Sequence, residues 1–165
     1  MNDITSSPIE CFRRESPMLV RIDVTYGKGC SSAWLFDVLQ STLLFLGVDN
    51  EKFRKEQVFD LARTIANQYK TLKVAEVLLF LSQFKAGKYG RFYGGDSYAL
   101  VITTALQTFM DERSYYYDKI ERMEAEKKES ESKKGAITFE EYKRLAEARG
   151  EKVSDMLNDI FGKKT

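Results

Sequence analysis

The fold is decided by residues 34–46, which spell WLFDVLQSTLLFL. Apolar side chains recur in this stretch at spacings of three and four residues, so they share one face of a helix. They are Trp34, Leu35, Val38, Leu39, Leu43 and Leu46, with Thr42 on the same face. Asp37 and Gln40 interrupt the run, which is also too short to cross a bilayer. This stretch predicts an amphipathic helix in the core of a globular protein.

Three later segments show the same helical spacing. They cover about residues 53–69, 73–84 and 96–120, and turn or capping residues such as Gly47, Asp49 and Gly87 separate them. The predicted inward face of the second segment is Val74, Val77, Leu78, Leu81 and Phe84. We therefore predict a mainly all-α protein whose globular domain, residues 17–120, is a compact bundle of about four helices after an irregular lead-in at residues 1–16.

Residues 18–25 leave two alternatives open. Met18, Val20, Ile22 and Val24 alternate with more polar neighbours, which suits a short half-buried β-strand. The same residues also suit a run of helical turn, because no second strand is evident to pair with them. The fold prediction accordingly includes a possible short N-terminal β segment.

The C-terminal part of the chain changes character after Ile120. Residues 121–137 are mostly charged, with both signs mixed, and predict a charged spacer or a helical extension without a buried face. Thr138 followed by Glu141 forms a capping-box pattern ahead of renewed helical spacing. Residues 138–165 therefore predict a C-terminal amphipathic helix, spanning about 139–161.

The composition excludes several classes of function. The formal net charge of +1 argues against general electrostatic attraction to nucleic acid or anionic membrane. We expect any such binding to be local. The chain contains no histidine, which removes the commonest general base and metal ligand. We expect no enzyme, no catalytic residues, no metal and no cofactor. With no signal-peptide pattern at residues 1–9, we expect a cytoplasmic protein with reduced Cys11 and Cys30.

Residues 84–96 form the segment whose chemistry helix formation does not explain. No acidic residue occurs between Glu76 and Asp96, while cations and aromatic rings interleave. Basic side chains can meet phosphates while rings stack on bases, a pattern typical of single-stranded nucleic-acid binding. The candidate residues for nucleic-acid or partner binding are Lys85, Lys88, Tyr89, Arg91, Phe92 and Tyr93.

The same segment has a purely structural interpretation. Phe92 and Tyr93 can fill the core while the glycines turn the chain between two helices, leaving the cations in solvent. A nucleotide-binding loop of the Walker type is excluded, because Gly87-Lys88-Tyr89-Gly90 lacks the longer Gly-bounded loop and the Ser or Thr after the Lys.

A second candidate surface would contact a protein partner. The run Tyr115-Tyr116-Tyr117 must turn at least one ring towards solvent, and the C-terminal helix is amphipathic. The candidate interface residues are Tyr115, Tyr116, Phe139, Tyr142, Leu145, Met156, Leu157, Ile160 and Phe161.

The residues from Leu72 to Arg113 carry a resemblance to a known group. The signature Gly87-Lys88-Tyr89-Gly90, then Phe92-Tyr93-Gly94 and Asp96, resembles an uncharacterised family of small helical proteins from gut bacteria, their phages and conjugative elements. The resemblance covers about residues 35–113. It implies a helical fold and a role near DNA replication, with small phage proteins that escort a helicase onto DNA as an analogue.

Two hypotheses for function follow. The first is a non-enzymatic accessory protein of a phage or mobile element in DNA replication, helicase-loader-like or a nucleic-acid-binding adaptor, with a protein partner and no membrane. The alternative is a protein–protein interaction or virion component without nucleic-acid contact. The oligomeric state stays open in both.

Overall fold

The structure is a computed structural model that describes residues 7–48, 54–90, 97–135 and 139–149. These residues form seven helices and no strand, which confirms the mainly all-α fold. The helices are α1 (Pro8–Arg13), α2 (Leu19–Tyr26), α3 (Cys30–Phe45), α4 (Lys55–Gln68), α5 (Val74–Lys85), α6 (Tyr98–Gly135) and α7 (Phe139–Ala148). None of the described helices is long and apolar enough to span a membrane.

The chain divides into two compact units, residues 1–120 and 121–165. The hydrophobic core of the first unit draws on α1 to α6, and its largest fully buried rings are Phe12, Phe80 and Phe109. In the second unit the side chains of residues 121–133 are all exposed. Residues 150–165, where the predicted C-terminal helix would continue, lie outside the described residues.

Helix α1 lies inside the segment that the sequence predicted to be an irregular lead-in. Cys11 and Phe12 of this helix are buried. The Phe12 ring stacks against Tyr116, with centroids 5.2 Å apart, and also contacts Phe109. The lead-in therefore contributes Phe12 to the core. The two charged residues that follow it, Arg13 and Arg14, make this burial hard to predict from the sequence.

Of the two alternatives left open for residues 18–25, the helical one is confirmed and the β segment is wrong, because Leu19–Tyr26 form helix α2. The only strand-like feature in the described residues is an isolated antiparallel bridge between Met18 and Lys73. The backbone N–H groups of Leu19 and Val20 donate to the carbonyls of Leu72 and Lys70, which satisfies the start of the helix. With no partner strand, the alternation of apolar residues has no sheet to bury it, and Val24 is 75% exposed.

Helix α3 places its apolar face as predicted, with Leu35, Leu39, Thr42 and Leu43 buried. The N-cap residue of this helix supplies no side-chain hydrogen bond to the first turn. Gly29 is the N-cap residue, with φ at +94° in the left-handed region that glycine accepts at low cost. The carboxylate of Asp23, on α2, supplies the hydrogen-bond acceptors.

Helix α5 is more enclosed than one amphipathic face allows. Beyond the predicted Val77, Leu81 and Phe84, the structure also buries Leu79 and Phe80. Val74 and Leu78, predicted to face inward, are only half-buried. The helix therefore has core contacts on more than one side, and it carries Glu76, a carboxylate with no exposed surface.

Candidate functional site

The turn after α5 is held by backbone geometry that favours glycine. Gly87 and Gly90 adopt φ values of +79° and +103°. The backbone N–H of Lys88 donates to the Gln83 carbonyl at 3.1 Å, and that of Gly90 donates to the Gly87 carbonyl at 3.1 Å. The predicted site residues Arg91, Phe92 and Tyr93 lie outside the described residues, as does the structural alternative that depends on them.

Lys88 and Tyr89 have partners within the fold. The Lys88 ammonium forms an ion pair with Glu112 on α6 and a hydrogen bond with the Gln83 amide oxygen at 3.2 Å. The Tyr89 hydroxyl donates to the same Gln83 oxygen at 2.6 Å, and its ring lies 5.6 Å from that of Phe80. Glu112, distant in sequence and adjacent in space, therefore supplies a counter-charge to Lys88.

The environment of the Tyr89 phenol favours its protonated form. Burial of the ring raises the pKa of Tyr89 well above its ordinary value, and the neighbouring Glu112 carboxylate raises it further. A neutral hydroxyl donates the hydrogen bond to Gln83. Tyr89 thus anchors the turn through its hydroxyl and its ring.

Lys85 meets an exposed ring that the sequence analysis missed. Its ammonium lies 5.5 Å from the ring centroid of Phe45, which is 68% exposed at the end of α3. We name Phe45, Lys85, Lys88 and Tyr89 the basic aromatic surface. The sequence offers one indication of this role: Phe45 lies outside the predicted inward face of its helix, so the core does not require it.

The three consecutive tyrosines take different environments. Tyr116 and Tyr117 pack against Phe12, at centroid distances of 5.2 and 5.7 Å. Tyr115 is 64% exposed and its ring meets Tyr116 edge-on. Of the predicted interface residues in this run, Tyr115 presents most of its ring to solvent, whereas Tyr116 is largely a packing residue.

The interface residues predicted in the C-terminal helix are described only in part. Tyr142 and Leu145 of α7 are 36% and 49% exposed, and Ala146 is buried. Phe139 begins α7. Met156, Leu157, Ile160 and Phe161 lie outside the described residues.

Glu76 is the centre of a buried polar network in the first unit. Its carboxylate accepts hydrogen bonds from the Tyr117 hydroxyl at 2.6 Å, from Arg113 Nε at 3.0 Å and from the Lys73 backbone N–H at 2.9 Å. Burial, followed by the hydrogen bond to Glu76, raises the pKa of Tyr117. Because each carboxylate oxygen has a partner, this network is suited to fixing α5 against α6 rather than to chemistry.

Neither cysteine is poised as a nucleophile. Cys11 is buried, and its thiol donates to the Ala75 carbonyl at 3.3 Å. Burial, with a further contribution from Glu76, raises the pKa of the Cys11 thiol, which disfavours the reactive thiolate. Cys30 donates to the Tyr26 carbonyl at 3.4 Å. In the described part of the chain, no group of three or more acidic or cysteine side chains could hold a metal ion.

In the described part of the chain, cavities lie at three places along α4, and no sequence motif had marked them. The largest, about 490 Å³, lies between α4 and the start of α6 and includes Leu61 and Tyr98 in its wall. A second, about 460 Å³, lies between α3 and α4 beside Phe36 and Phe59. The third, about 330 Å³, lies where α2, the start of α3 and α4 meet.

Comparison with known proteins identifies a family and no characterised relative. No curated protein and no solved structure matches the chain. The model of a family of unknown function, DUF6633, matches residues 52–151, more than half of the 165 residues. The match includes α4, α5, α6 and α7, and with them most of the basic aromatic surface and the whole buried network around Glu76. The chain therefore belongs to the family of unknown function DUF6633.

Proposed function

We propose that the chain is a non-enzymatic, cytoplasmic accessory protein of a phage or mobile element that acts in DNA replication. In this proposal the basic aromatic surface contacts single-stranded nucleic acid, and the C-terminal segment contacts a protein partner such as a helicase. The observation that carries the proposal is the exposed Phe45 ring with the Lys85 ammonium 5.5 Å from its centroid.

The pairing of ring and cation suits a single strand. A base stacked on an exposed aromatic side chain contributes about 1–3 kcal/mol, and an adjacent ammonium can meet the phosphate on either side of that base. Phe45 has most of its surface free for stacking. A duplex keeps its bases stacked on one another, so the same surface should prefer single strands.

The ion pair between Lys88 and Glu112 is compatible with phosphate binding but limits its strength. The two side chains are 38% and 30% exposed, and partly exposed pairs contribute little to stability. Lys88 can therefore exchange Glu112 for a phosphate oxygen. The Glu112 carboxylate would repel that phosphate, so we expect Lys85 to contribute more to affinity than Lys88.

A second candidate function is a protein–protein interaction or virion component without nucleic-acid contact. It is favoured by the exposed Tyr115 ring and by Leu145 on α7, which leave apolar surface for a partner. The neutralisation of Lys88 by Glu112 also fits this alternative.

Fluorescence anisotropy with labelled single- and double-stranded DNA at two salt concentrations distinguishes the two. We expect salt-sensitive binding that prefers single strands, because phosphate contacts release counterions. Lys85→Ala with Lys88→Ala should weaken binding and reduce its salt dependence, whereas Phe45→Ala should weaken binding with little change in salt dependence.

The matched control is Lys127→Ala with Lys128→Ala, which removes the same charge from exposed positions of the second unit. Circular dichroism verifies that all variants keep their helical content. Absence of binding at low salt, or an equal loss in the control variant, contradicts the nucleic-acid proposal and favours the protein-interaction alternative.

A further inference from the structure

We propose that the cavity where α2, α3 and α4 meet binds the terminal phosphate of a nucleotide. Its volume is about 330 Å³, at the small end of the range for ligand sites. The polar side chains in its wall are Asp23, Lys28, Ser32, Arg63, Asn67 and Lys70. None of them belongs to the basic aromatic surface, so this site is independent of the function proposed above.

The cations of this cavity are available to an anion. Among the described residues, no carboxylate lies within ion-pair distance of Lys28 or Lys70. Arg63 pairs with Asp60 on its own helix at 2.9 Å, but the two side chains are 62% and 65% exposed. Such a pair holds its members weakly, so the Arg63 guanidinium can turn to a phosphate.

Asp23 does not neutralise these cations, because its oxygens face the first turn of α3. One oxygen accepts from the backbone N–H of Gly29 at 3.2 Å and of Ser31 at 2.9 Å, and the other accepts from the Ser31 hydroxyl at 2.8 Å. Three cations and one carboxylate leave the cavity with a net positive charge. Since Asp23 already occupies these N–H groups, the phosphate would be bound by side chains.

Ser32 supplies an independent indication of a ligand. The residue is only 8% exposed and lines the cavity, and its hydroxyl has no hydrogen-bond partner among the described residues. No sealed side-chain oxygen in the described residues lacks one, so the Ser32 oxygen must reach open space. A phosphate oxygen in the cavity would accept a hydrogen bond from the Ser32 hydroxyl.

The apolar part of the wall indicates a nucleotide rather than free phosphate. Phe59 is 44% exposed and lines the cavity. Its ring meets Phe36 edge-on at 6.1 Å, which holds it in place while leaving surface for a base. Val20 and Ala66 add further apolar contact. The phosphate can come from a free nucleotide or from the 5′ end of a DNA strand.

Isothermal titration calorimetry with thymidine 5′-monophosphate, thymidine and inorganic phosphate tests the proposal on the full chain. We expect the monophosphate to bind and thymidine not to bind. Lys28→Ala with Lys70→Ala should weaken binding by at least about tenfold, and Ser32→Ala by about fivefold, because each removes a donor to a charged oxygen. Lys127→Ala with Lys128→Ala, the matched control, should leave binding unchanged.

Oligonucleotides with and without a 5′-phosphate identify the source. Tighter binding of the phosphorylated strand than of the monophosphate assigns the site to a DNA end. Tighter binding of the monophosphate assigns the site to a free nucleotide. Either result supports the proposal. Equal binding of thymidine and its monophosphate, binding of inorganic phosphate alone, or unchanged affinity in both cavity variants would overturn it. The Lys85 and Lys88 variant should bind the monophosphate normally, which separates this result from the test of DNA contact.

Discussion

At the scale of single residues, Asp23 sets the start of helix α3. Gly29, at φ +94°, turns the chain so that the N–H groups of Gly29 and Ser31 face one carboxylate from the preceding helix. Partial burial opposes ionisation, but the hydrogen bonds from Ser31 and Gly29 outweigh it and hold the pKa of Asp23 below its ordinary value. The folded state therefore favours the ionised form.

Replacing Asp23 with Ala should lower the free energy of unfolding by about 1–2 kcal/mol near neutral pH, because three hydrogen bonds to the first turn of α3 are lost. A carboxyl whose pKa is lower in the folded state stabilises above its unfolded pKa, and this contribution is lost as the pH falls through the folded value. The difference between wild type and variant should be constant from about pH 7 to 5 and shrink below about pH 4.

Urea denaturation across this pH range measures the effect. Asp37→Ala is the matched control, because Asp37 is an exposed residue of α3 and makes no hydrogen bond or ion pair among the described residues. A difference between Asp23→Ala and wild type that persists unchanged at pH 3 would contradict the assignment to the carboxylate.

At the scale of helices, α5 is fixed to α6 by the buried Glu76. Arg113 and Tyr117 are one turn apart on α6, so both side chains reach the same carboxylate. The Arg113 guanidinium also lies 4.7 Å from the Tyr117 ring centroid. An acidic residue within an apolar helix thus defines how the two helices align.

Replacing Arg113 with Met should destabilise the protein by about 3–5 kcal/mol, because the buried Glu76 then loses its ion-pair partner. Adding Glu76→Gln to the Arg113→Met variant should recover part of this loss by removing the unpaired charge. Denaturant unfolding of the two single variants and the double variant gives the coupling free energy between Glu76 and Arg113. Additive effects of the two substitutions would contradict a direct interaction.

At the scale of the whole molecule, helical spacing predicted the fold class and the buried face of α3, since a single face covers the core there. Helical spacing did not predict environments that depend on residues distant in the sequence. Phe80 is buried because α5 has neighbours on more than one side. The pattern of residues 18–25 left strand and helix open, and Leu19–Tyr26 form helix α2.

The candidate site was predictable to a similar extent. The unusual composition of residues 84–96 marked Lys85, Lys88 and Tyr89, but only the fold pairs Lys88 with Glu112 and places Lys85 near Phe45. The cations around Ser32 come from the loop before α3, from α4 and from the turn after α4, so no local motif could have revealed them.

The most direct test of the proposed function is an NMR titration of isotope-labelled protein with a single-stranded oligonucleotide that lacks a 5′-phosphate. We predict amide chemical-shift changes concentrated at Phe45 and residues 85–90, at the ends of α3 and α5. These shift changes should become smaller as salt is added. Shift changes confined to other helices, or no change at a low salt concentration, would contradict the claim that the basic aromatic surface contacts nucleic acid.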